Sequence, residues 1–253
     1  MLKINQLPED ALLYILTLVP ATDLIRYRHV CTVWRNLIDS PTLWKTKCLR
    51  MGYISKDCKK SPHDWKIFYH IWNLKRNLLQ NPHAEDSFNS WTIEQNGGNL
   101  WKVEDLPGDC GEPFPDHQIK KYFVTSYEEC KKSQLIQLKR MGYQDKLIDI
   151  VQPDIVIEDW YAPRWDCGST YEIVVQLLSK HKKILKEFRP NVVRMESQSD
   201  AQWKQMKYIF HNYGPGVRYI YFQHGGHDTQ FWAGWYGVRV TNSSVTIEPE
   251  NLN

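Results

Sequence analysis

Glycine and aromatic residues are interspersed over a stretch near the C-terminal end, from Gln223 to Gly237. Glycine permits tight backbone turns, and aromatic side chains supply flat apolar surface. Phe231 and Trp232 lie between the glycines of this stretch, which favours a loop tip that displays rings. Ordinary core packing is the competing interpretation for Trp232. The composition is therefore typical of a binding loop.

The same stretch contains His224, His227 and Asp228, which raises the question of metal or hydrolase chemistry. Two histidines and one aspartate in one short loop lack a clear remote ligand, and no G-x-S-x-G nucleophile motif is present. A glycosidase would need two facing carboxylates, and nothing in the sequence places Asp166 opposite Asp228. We expect a non-enzymatic protein without catalytic residues, metal or cofactor.

Composition narrows the class of protein. The chain has 253 residues, of which 42% are hydrophobic and 24% charged, and its mean hydropathy is -0.55. Neither an apolar run of membrane-spanning length nor a secretory signal is visible. Six scattered cysteines without a C-x-x-C pair indicate free thiols, so we expect a cytoplasmic protein. A net charge of +3 with dispersed lysine pairs does not indicate nucleic-acid binding.

The first fifty residues predict three short helices. Leu7-Pro8 followed by two acidic residues is a favourable helix start, and Ser40-Pro41 repeats a start signal. Between these signals apolar residues recur at helical spacing in two stripes, Leu12, Leu13, Leu16 and Val19, then Val30, Val33, Trp34, Leu37 and Ile38. We expect an α-helical module of residues 1–50.

A further helix is predicted after Ser61-Pro62. Four aromatic residues fall at helical spacing: Trp65, Phe68, Tyr69 and Trp72. The pattern continues through Leu78 and Leu79 until Asn81-Pro82 ends it. Such a stripe is usually buried. We therefore expect residues 51–80 to form a helical linker packed on its neighbours.

From Phe88 onward the hydrophobic period changes to two, which is typical of half-buried strands. The residues from Asn96 to Asn99 are a turn signal that predicts a hairpin, and Asn242-Ser243-Ser244 predicts a polar turn between two more strands. We expect about ten strands in a two-sheet antiparallel sandwich over residues 81–253, with functional loops at its ends. The fold class is thus α+β multidomain.

The N-terminal module resembles an F-box. The likeness rests on Leu7-Pro8-Glu9-Asp10, on Val30-Cys31-Thr32-Val33-Trp34-Arg35, and on Asp39 to Lys45. It implies docking on the Skp adaptor of a Skp-cullin-F-box ubiquitin ligase, and through the adaptor on cullin. The residues assigned to that contact are Leu7, Pro8, Leu12, Leu13, Leu16 and Trp34. A small helical bundle packed on its own chain would explain the two stripes but not these ordered motifs.

The remainder resembles the F-box-associated domain of the sugar-binding F-box proteins. The likeness includes Arg76-Asn77-Leu78-Leu79, Lys120 to Ser126, Gly214 to Tyr219 and Trp235-Tyr236-Gly237. It implies a jelly-roll-like sandwich that binds the inner chitobiose core of high-mannose N-glycans on misfolded glycoproteins. By order along the chain the glycan-binding residues are Tyr127, Asp166, Phe231, Trp232 and Ala233.

The chemistry of these residues suits a sugar. A pyranose presents a C–H face that stacks on an aromatic ring and a rim of hydroxyl and N-acetyl groups that needs directed hydrogen bonds. Phe231 and Trp232 can supply rings, and Asp166 an acceptor, although a structural Asx-turn is an equal alternative for Asp166. The family pattern has lysine where this chain has Ala233. Recognition of a protein surface in place of glycan is therefore the alternative function.

Overall fold

The computed structural model describes residues 7–198 and 200–252. The chain divides into two compact units, residues 1–75 with 249–253 and residues 76–248. The first unit is helical and the second contains every strand found in the described residues.

Four helices, rather than the three predicted, occupy the first fifty residues: α1 (Glu9–Leu18), α2 (Ala21–Tyr27), α3 (Thr32–Asp39) and α4 (Pro41–Arg50). The region predicted as the second helix forms two helices, because the backbone between α2 and α3 leaves the helical path. Ser40 caps α4 as predicted, since its Oγ accepts a hydrogen bond from the Leu43 N–H at 3.4 Å. A buried tryptophan, Trp44, joins the leucines of α1 in a common core.

The helix α5 (Trp65–Leu74) belongs to the same unit. The Asp64 carboxylate caps it by accepting from the Lys66 and Ile67 N–H groups at 2.7 and 3.0 Å. Its aromatic stripe is buried in the core that α1 and α4 share. The predicted extension through Leu79 was wrong: the helix ends at Leu74, and Leu78 N–H donates to the Val245 carbonyl within the second unit.

The second unit is a sandwich of two antiparallel sheets. Its strands are β1 (Thr92–Asn96), β2 (Lys102–Asp105), β3 (Lys121–Val124), β4 (Cys130–Gln137), β5 (Ile155–Ala162), β6 (Ser169–Leu178), β7 (Ile184–Phe188), β8 (Val193–Met195), β9 (Lys204–Phe210), β10 (Tyr219–Gly226) and β11 (Arg239–Ile247). One sheet has the order β1-β4-β10-β6-β7, with β8 also paired to β6, and the other β2-β3-β11-β5-β9. A π-helical turn, Leu147–Val151, lies between β4 and β5.

Two predicted connections were wrong. The residues Asn96 to Asn99 do not close a hairpin, because β1 pairs with β4 in one sheet and β2 with β3 in the other. The turn therefore crosses between the sheets. Asn242-Ser243-Ser244 is not a turn between strands either, since it lies inside β11 at a register shift where that strand pairs with β5. A β-bulge accommodates these polar residues without ending the strand.

A polar cluster bridges the two sheets in the interior. The Asp159 carboxylate on β5 accepts from the Tyr171 hydroxyl at 2.6 Å and the Ser243 hydroxyl at 2.7 Å, and it lies 2.6 Å from His224 Nδ1. Burial lowers the pKa of His224 to about 4, against the opposing effect of Asp159. The Lys132 ammonium lies beside it, 3.1 Å from the Trp91 ring centre, and burial lowers its pKa well below the usual value.

No helix in the described ranges is long and apolar enough to cross a membrane. The six cysteines, all within those ranges, are free thiols.

Candidate functional site

Two loops meet at one end of the sandwich. One joins β5 to β6 over residues 163–168, and the other follows β10 over residues 227–238. Thr229 N–H donates to the Gly168 carbonyl at 2.9 Å, and Asp228 N–H donates to the Ser126 carbonyl at 3.0 Å. These backbone bonds attach the second loop to the first loop and to the segment after β3, which favours a fixed arrangement of the side chains that the second loop carries.

The tip of the second loop is organised by Asp228. Its Oδ1 accepts backbone hydrogen bonds from Gln230 at 2.8 Å and Phe231 at 2.5 Å, with Trp232 N–H at 3.4 Å. Phe231 has a φ of 58°, a left-handed conformation that costs a non-glycine residue about 1–3 kcal/mol. The fold holds this conformation while leaving the rings of Phe231 and Trp232 68% and 45% exposed. Strain of this kind clusters at ligand-binding positions.

A cavity of about 410 Å³ opens beside this tip. One wall is the edge-to-face pair of Tyr127 and Phe231, whose ring centres are 5.0 Å apart. The lining residues are Tyr127, Glu128, Glu129, Arg194, His227, Asp228, Thr229 and Phe231. Asp228 is 2% exposed, and its Oδ2 has no hydrogen-bond partner among the described residues. The cavity thus combines one aromatic wall with carboxylate side chains, a composition suited to a ligand that has both an apolar face and N–H or O–H donors.

Asp166 is connected to Trp232 by a chain of contacts. Its two carboxylate oxygens accept from Arg164 Nε and Nη2, both at 2.8 Å, and this hydrogen bonding lowers the pKa of Asp166. Arg164 Cζ lies 4.6 Å from the Tyr236 ring centre, and Tyr236 packs edge-to-face on Trp232 with centres 5.5 Å apart. A carboxylate has about four acceptor positions, so the Arg164 fork leaves capacity for a ligand hydroxyl. The dominant contact of Asp166 is this ion pair rather than an Asx-turn.

Four of the five predicted glycan-binding residues form two groups at this end of the sandwich, and the fifth, Ala233, lies apart from both. Tyr127 and Phe231 form the cavity wall, and Trp232 is linked to Asp166 through Tyr236. Ala233 is exposed at the tip. The next residue, Gly234, is fixed by its N–H, which donates to the Asn99 side chain at 2.7 Å.

The histidines of the C-terminal stretch have separate environments. His224 belongs to β10 and is bound to Asp159 inside the sandwich, so the strand includes residues that the sequence had placed in the loop. His227 lines the cavity, and its Nδ1 lies 2.5 Å from the Asp228 carbonyl. Within the described part of the chain, no group of three or more histidine, cysteine or carboxylate side chains is arranged to hold a metal ion.

Sequence reasoning did not identify Asp228 or Arg164 as parts of a binding site. Asp228 carries a signal that could have been used, because an aspartate three residues before Phe231, in a loop, is typical of an Asx-turn that accepts backbone N–H groups. Arg164 gave no such signal: its role depends on Tyr236, which is distant in sequence and packs against it only in the fold.

In the helical unit the residues of the predicted adaptor contact differ in exposure. Leu12, Leu16 and Trp34 are 2%, 1% and 8% exposed, so they form the core and cannot contribute much direct contact surface. Leu7 and Leu13 are partly buried and Pro8 is exposed. The apolar side chains that reach the surface are Tyr14, Leu18, Ile25, Tyr27, Val30, Val33 and Met51. Their exposure marks a surface suited to a protein partner.

Comparison with protein families assigns both halves of the chain. Residues 69–247 match the family model described as the F-box associated region, and residues 4–50 match the F-box-like model. The chain belongs to the F-box-associated family. The F-box-associated region thus covers all eleven strands of the sandwich and both end loops.

Named relatives match this chain over nearly its whole length. The chain is 56% identical to F-box only protein 6 of Rattus norvegicus over 248 residues, which are 98% of this chain and 87% of that protein. It is 54% identical to F-box only protein 44 of Homo sapiens, over 98% of this chain and 97% of the relative. F-box only protein 2 of Bos taurus is 44% identical, over 97% of this chain and 84% of that protein. The F-box-associated family assignment therefore holds along nearly the whole chain.

Solved structures with a similar fold are distant. The galactotriose complex of TmCBM61 has a TM-score of 0.44 and 16% identity, over 68% of this chain and 99% of that one. The CBM22-1 xylan-binding domain of Paenibacillus barcinonensis Xyn10C has a TM-score of 0.41 and 9% identity, over 70% of this chain and 97% of that domain. At these scores the likeness is too weak to indicate a ligand for the F-box-associated sandwich.

Proposed function

We propose that this protein is the substrate-recognition subunit of a Skp-cullin-F-box ubiquitin ligase and has no catalytic role of its own. The helical unit binds the Skp adaptor, and the sandwich binds the chitobiose core of N-glycans on misfolded glycoproteins that have returned to the cytosol. The observation that carries the glycan half is the exposed Phe231-Trp232 tip, fixed beside a cavity that Asp228 lines.

The tip provides the two kinds of contact that an N-acetylated pyranose needs. Trp232 presents a ring for the C–H face of one sugar. The Tyr127–Phe231 wall provides an apolar surface for an acetamido methyl group, and Asp228 Oδ2 provides an acceptor for its N–H. Because a buried acceptor without a partner is unfavourable, a ligand that donates to it gains more than one hydrogen bond in water would give.

On the helical unit, the adaptor contact is assigned to exposed apolar side chains rather than to the buried stripe. Tyr14 and Ile25 are 62% and 63% exposed, and each lies on a helix whose buried face is fixed by the core. Pro8, Leu7 and Leu13 stay in the proposed contact as partly exposed neighbours. Leu12, Leu16 and Trp34 contribute by holding the helices in place.

The test of glycan binding is isothermal titration of the full-length chain with chitobiose. Loss of a stacking ring costs on the order of 1–3 kcal/mol, by analogy with rings stacked on bases, so Trp232→Ala should weaken binding roughly tenfold or more. Tyr14→Ala is the matched control, because it removes an exposed ring from the helical unit and should leave the affinity unchanged. Equal affinities for the wild type and Trp232→Ala would refute the assignment to this tip.

The second candidate is an F-box adaptor whose sandwich recognises a protein surface. It is favoured by the composition of the tip, since Phe231 has no hydroxyl and Ala233 has no charge, which leaves an exposed apolar surface there. Capture of an enzymatically deglycosylated client by the wild type, without any chitobiose binding, would decide for this candidate.

A further inference from the structure

Two exposed tryptophans lie at the same end of the sandwich. All eleven tryptophans fall within the described residues, and only Trp165 and Trp232 are exposed, at 52% and 45%. Exposure of an indole forgoes the free energy of burial, about 25 cal/mol per Å² of apolar surface. Two such rings on adjoining loops, one of them in the proposed glycan site, make the second a candidate for the same ligand.

The backbone of Trp165 is fixed on both sides. Its N–H donates to the Cys110 carbonyl at 3.1 Å, and its carbonyl accepts from the Gln198 N–H at 2.5 Å. The residues before and after it, Arg164 and Asp166, are joined by two hydrogen bonds of 2.8 Å. The backbone that carries the ring is therefore constrained, and little backbone conformational entropy remains to be lost when the ring binds a ligand.

Contacts join the residue next to Trp165 to the Trp232 ring. Arg164, next to Trp165, packs on Tyr236 at 4.6 Å, and Tyr236 packs on Trp232 at 5.5 Å between ring centres. One guanidinium and one phenol ring thus lie along the path from the Trp165 backbone to the Trp232 ring. Arg164 and Asp166 add a donor and an acceptor to the path, which is the polar component that sugar hydroxyls need.

We infer that Trp165 is the stacking surface of a second carbohydrate subsite, which takes a pyranose ring beyond the two that Trp232 and the adjoining cavity accommodate. This inference rests on the proposed function, because it assumes an oligosaccharide at the tip. The charges favour a sugar over a nucleic acid, since three carboxylates, Glu128, Glu129 and Asp228, line the adjoining cavity against one guanidinium, Arg194, and would repel phosphates. The polar neighbours of Trp165 likewise favour a ring with hydroxyl groups over a purely apolar side chain.

The subsite can be separated from the primary site by ligand length. The full-length chain would be titrated with chitobiose and with the five-ring oligosaccharide that carries three mannoses on chitobiose. The wild type should bind the longer ligand more tightly. Trp165→Ala should weaken binding of the five-ring ligand by about tenfold and leave the affinity for chitobiose within about twofold of wild type. Trp165→Phe, which keeps a ring, should retain most of the affinity, and Trp232→Ala should weaken both ligands.

Each result separates the inference from the function on which it rests. Suppose that the wild type binds chitobiose through Trp232, but Trp165→Ala changes the affinity for neither ligand or lowers both affinities equally. The second subsite is then refuted and the proposed function stands. A loss on Trp165→Ala seen only with intact glycoprotein would make Trp165 a polypeptide contact and would also refute the subsite. If the wild type binds neither oligosaccharide, both proposals fail. Urea unfolding of Trp165→Ala, expected to match the wild type, excludes misfolding as the cause.

Discussion

Replacement of Asp228 separates the two tasks that this residue performs at the tip. Oδ1 accepts the backbone N–H groups of Gln230 and Phe231, whereas Oδ2 is buried beside the cavity with no partner among the described residues. Asp228→Asn retains an amide oxygen for the backbone bonds but places an N–H₂ donor where an acceptor was. Asp228→Ala removes both. The first variant therefore perturbs ligand binding alone, and the second also perturbs the loop.

The magnitudes follow from these contacts. A hydrogen bond to a charged group contributes about 1.5–3 kcal/mol, so loss of the Oδ2 acceptor in Asp228→Asn should weaken chitobiose binding by roughly tenfold or more. In Asp228→Ala the left-handed conformation of Phe231, at φ 58°, loses the bonds that hold it. Ordering of the tip then has to accompany binding, and the affinity should fall further, by about another tenfold.

Titration calorimetry gives the affinities, and amide hydrogen exchange over residues 229–234 reports the order of the tip. Exchange in this segment should be close to wild type in Asp228→Asn and faster in Asp228→Ala. Asp149→Asn is the matched control: Asp149 also accepts a backbone bond, from Gly216 at 2.7 Å, at the opposite end of β10. Wild-type chitobiose affinity in Asp228→Asn would show that Oδ2 accepts no bond from the ligand.

Four further results are expected. Asp159→Asn, which removes the buried charge that joins the sheets, should lower the free energy of unfolding by about 3 kcal/mol in urea titrations; a loss below 1 kcal/mol would contradict the role of the cluster. Because the pKa of His224 is lowered from 6.5 to about 4 in the folded state, its contribution to stability is complete above pH 6.5 and is lost as the pH falls toward 4. Unfolding free energies of wild type and His224→Gln should therefore converge over that range, and parallel curves would exclude this linkage. Leu18→Asp or Ile25→Asp should weaken adaptor binding in pull-downs without loss of helicity, since both side chains are exposed; undiminished capture would place the contact elsewhere. Ala233→Lys should strengthen chitobiose binding several-fold by adding a donor for sugar hydroxyls, whereas Ala233→Met should not.

Local patterns predicted the elements better than their connections. The period-two runs located most strands of the sandwich, because alternate burial is a property of each strand by itself. The turn signal at Asn96 to Asn99 was read correctly as a turn but wrongly as a hairpin, since the partners of β1 and β2 are set by β4 and β3 in different sheets. Turn chemistry specifies a change of direction, and tertiary pairing decides which strands become neighbours.

The same division applies to the site. Tyr127, Asp166 and Phe231 could be named from family motifs, and the structure brings them to one end of the sandwich. Arg164 and Tyr236 could not be predicted, because the contact between them joins positions more than seventy residues apart in sequence. For the helical unit the apolar stripe was visible, but helical spacing alone does not say which apolar residues face the core and which face a partner.

Strand β10 connects the interior polar cluster to the binding tip, because it carries His224 of the cluster and leads into the tip loop. His224, which is joined to Asp159 of the opposite sheet at 2.6 Å, lies three residues before His227, where the strand gives way to the tip loop. The bond fixes β10 close to the point from which the loop departs, and Asp228 fixes the loop one residue further on. A sugar site with few contacts depends on such preorganisation, because each side chain that must be ordered on binding costs about 0.5–1.5 kcal/mol. The buried cluster thus stabilises the site as well as the fold, and the affinity of the tip should decline in variants of Asp159 that remain folded.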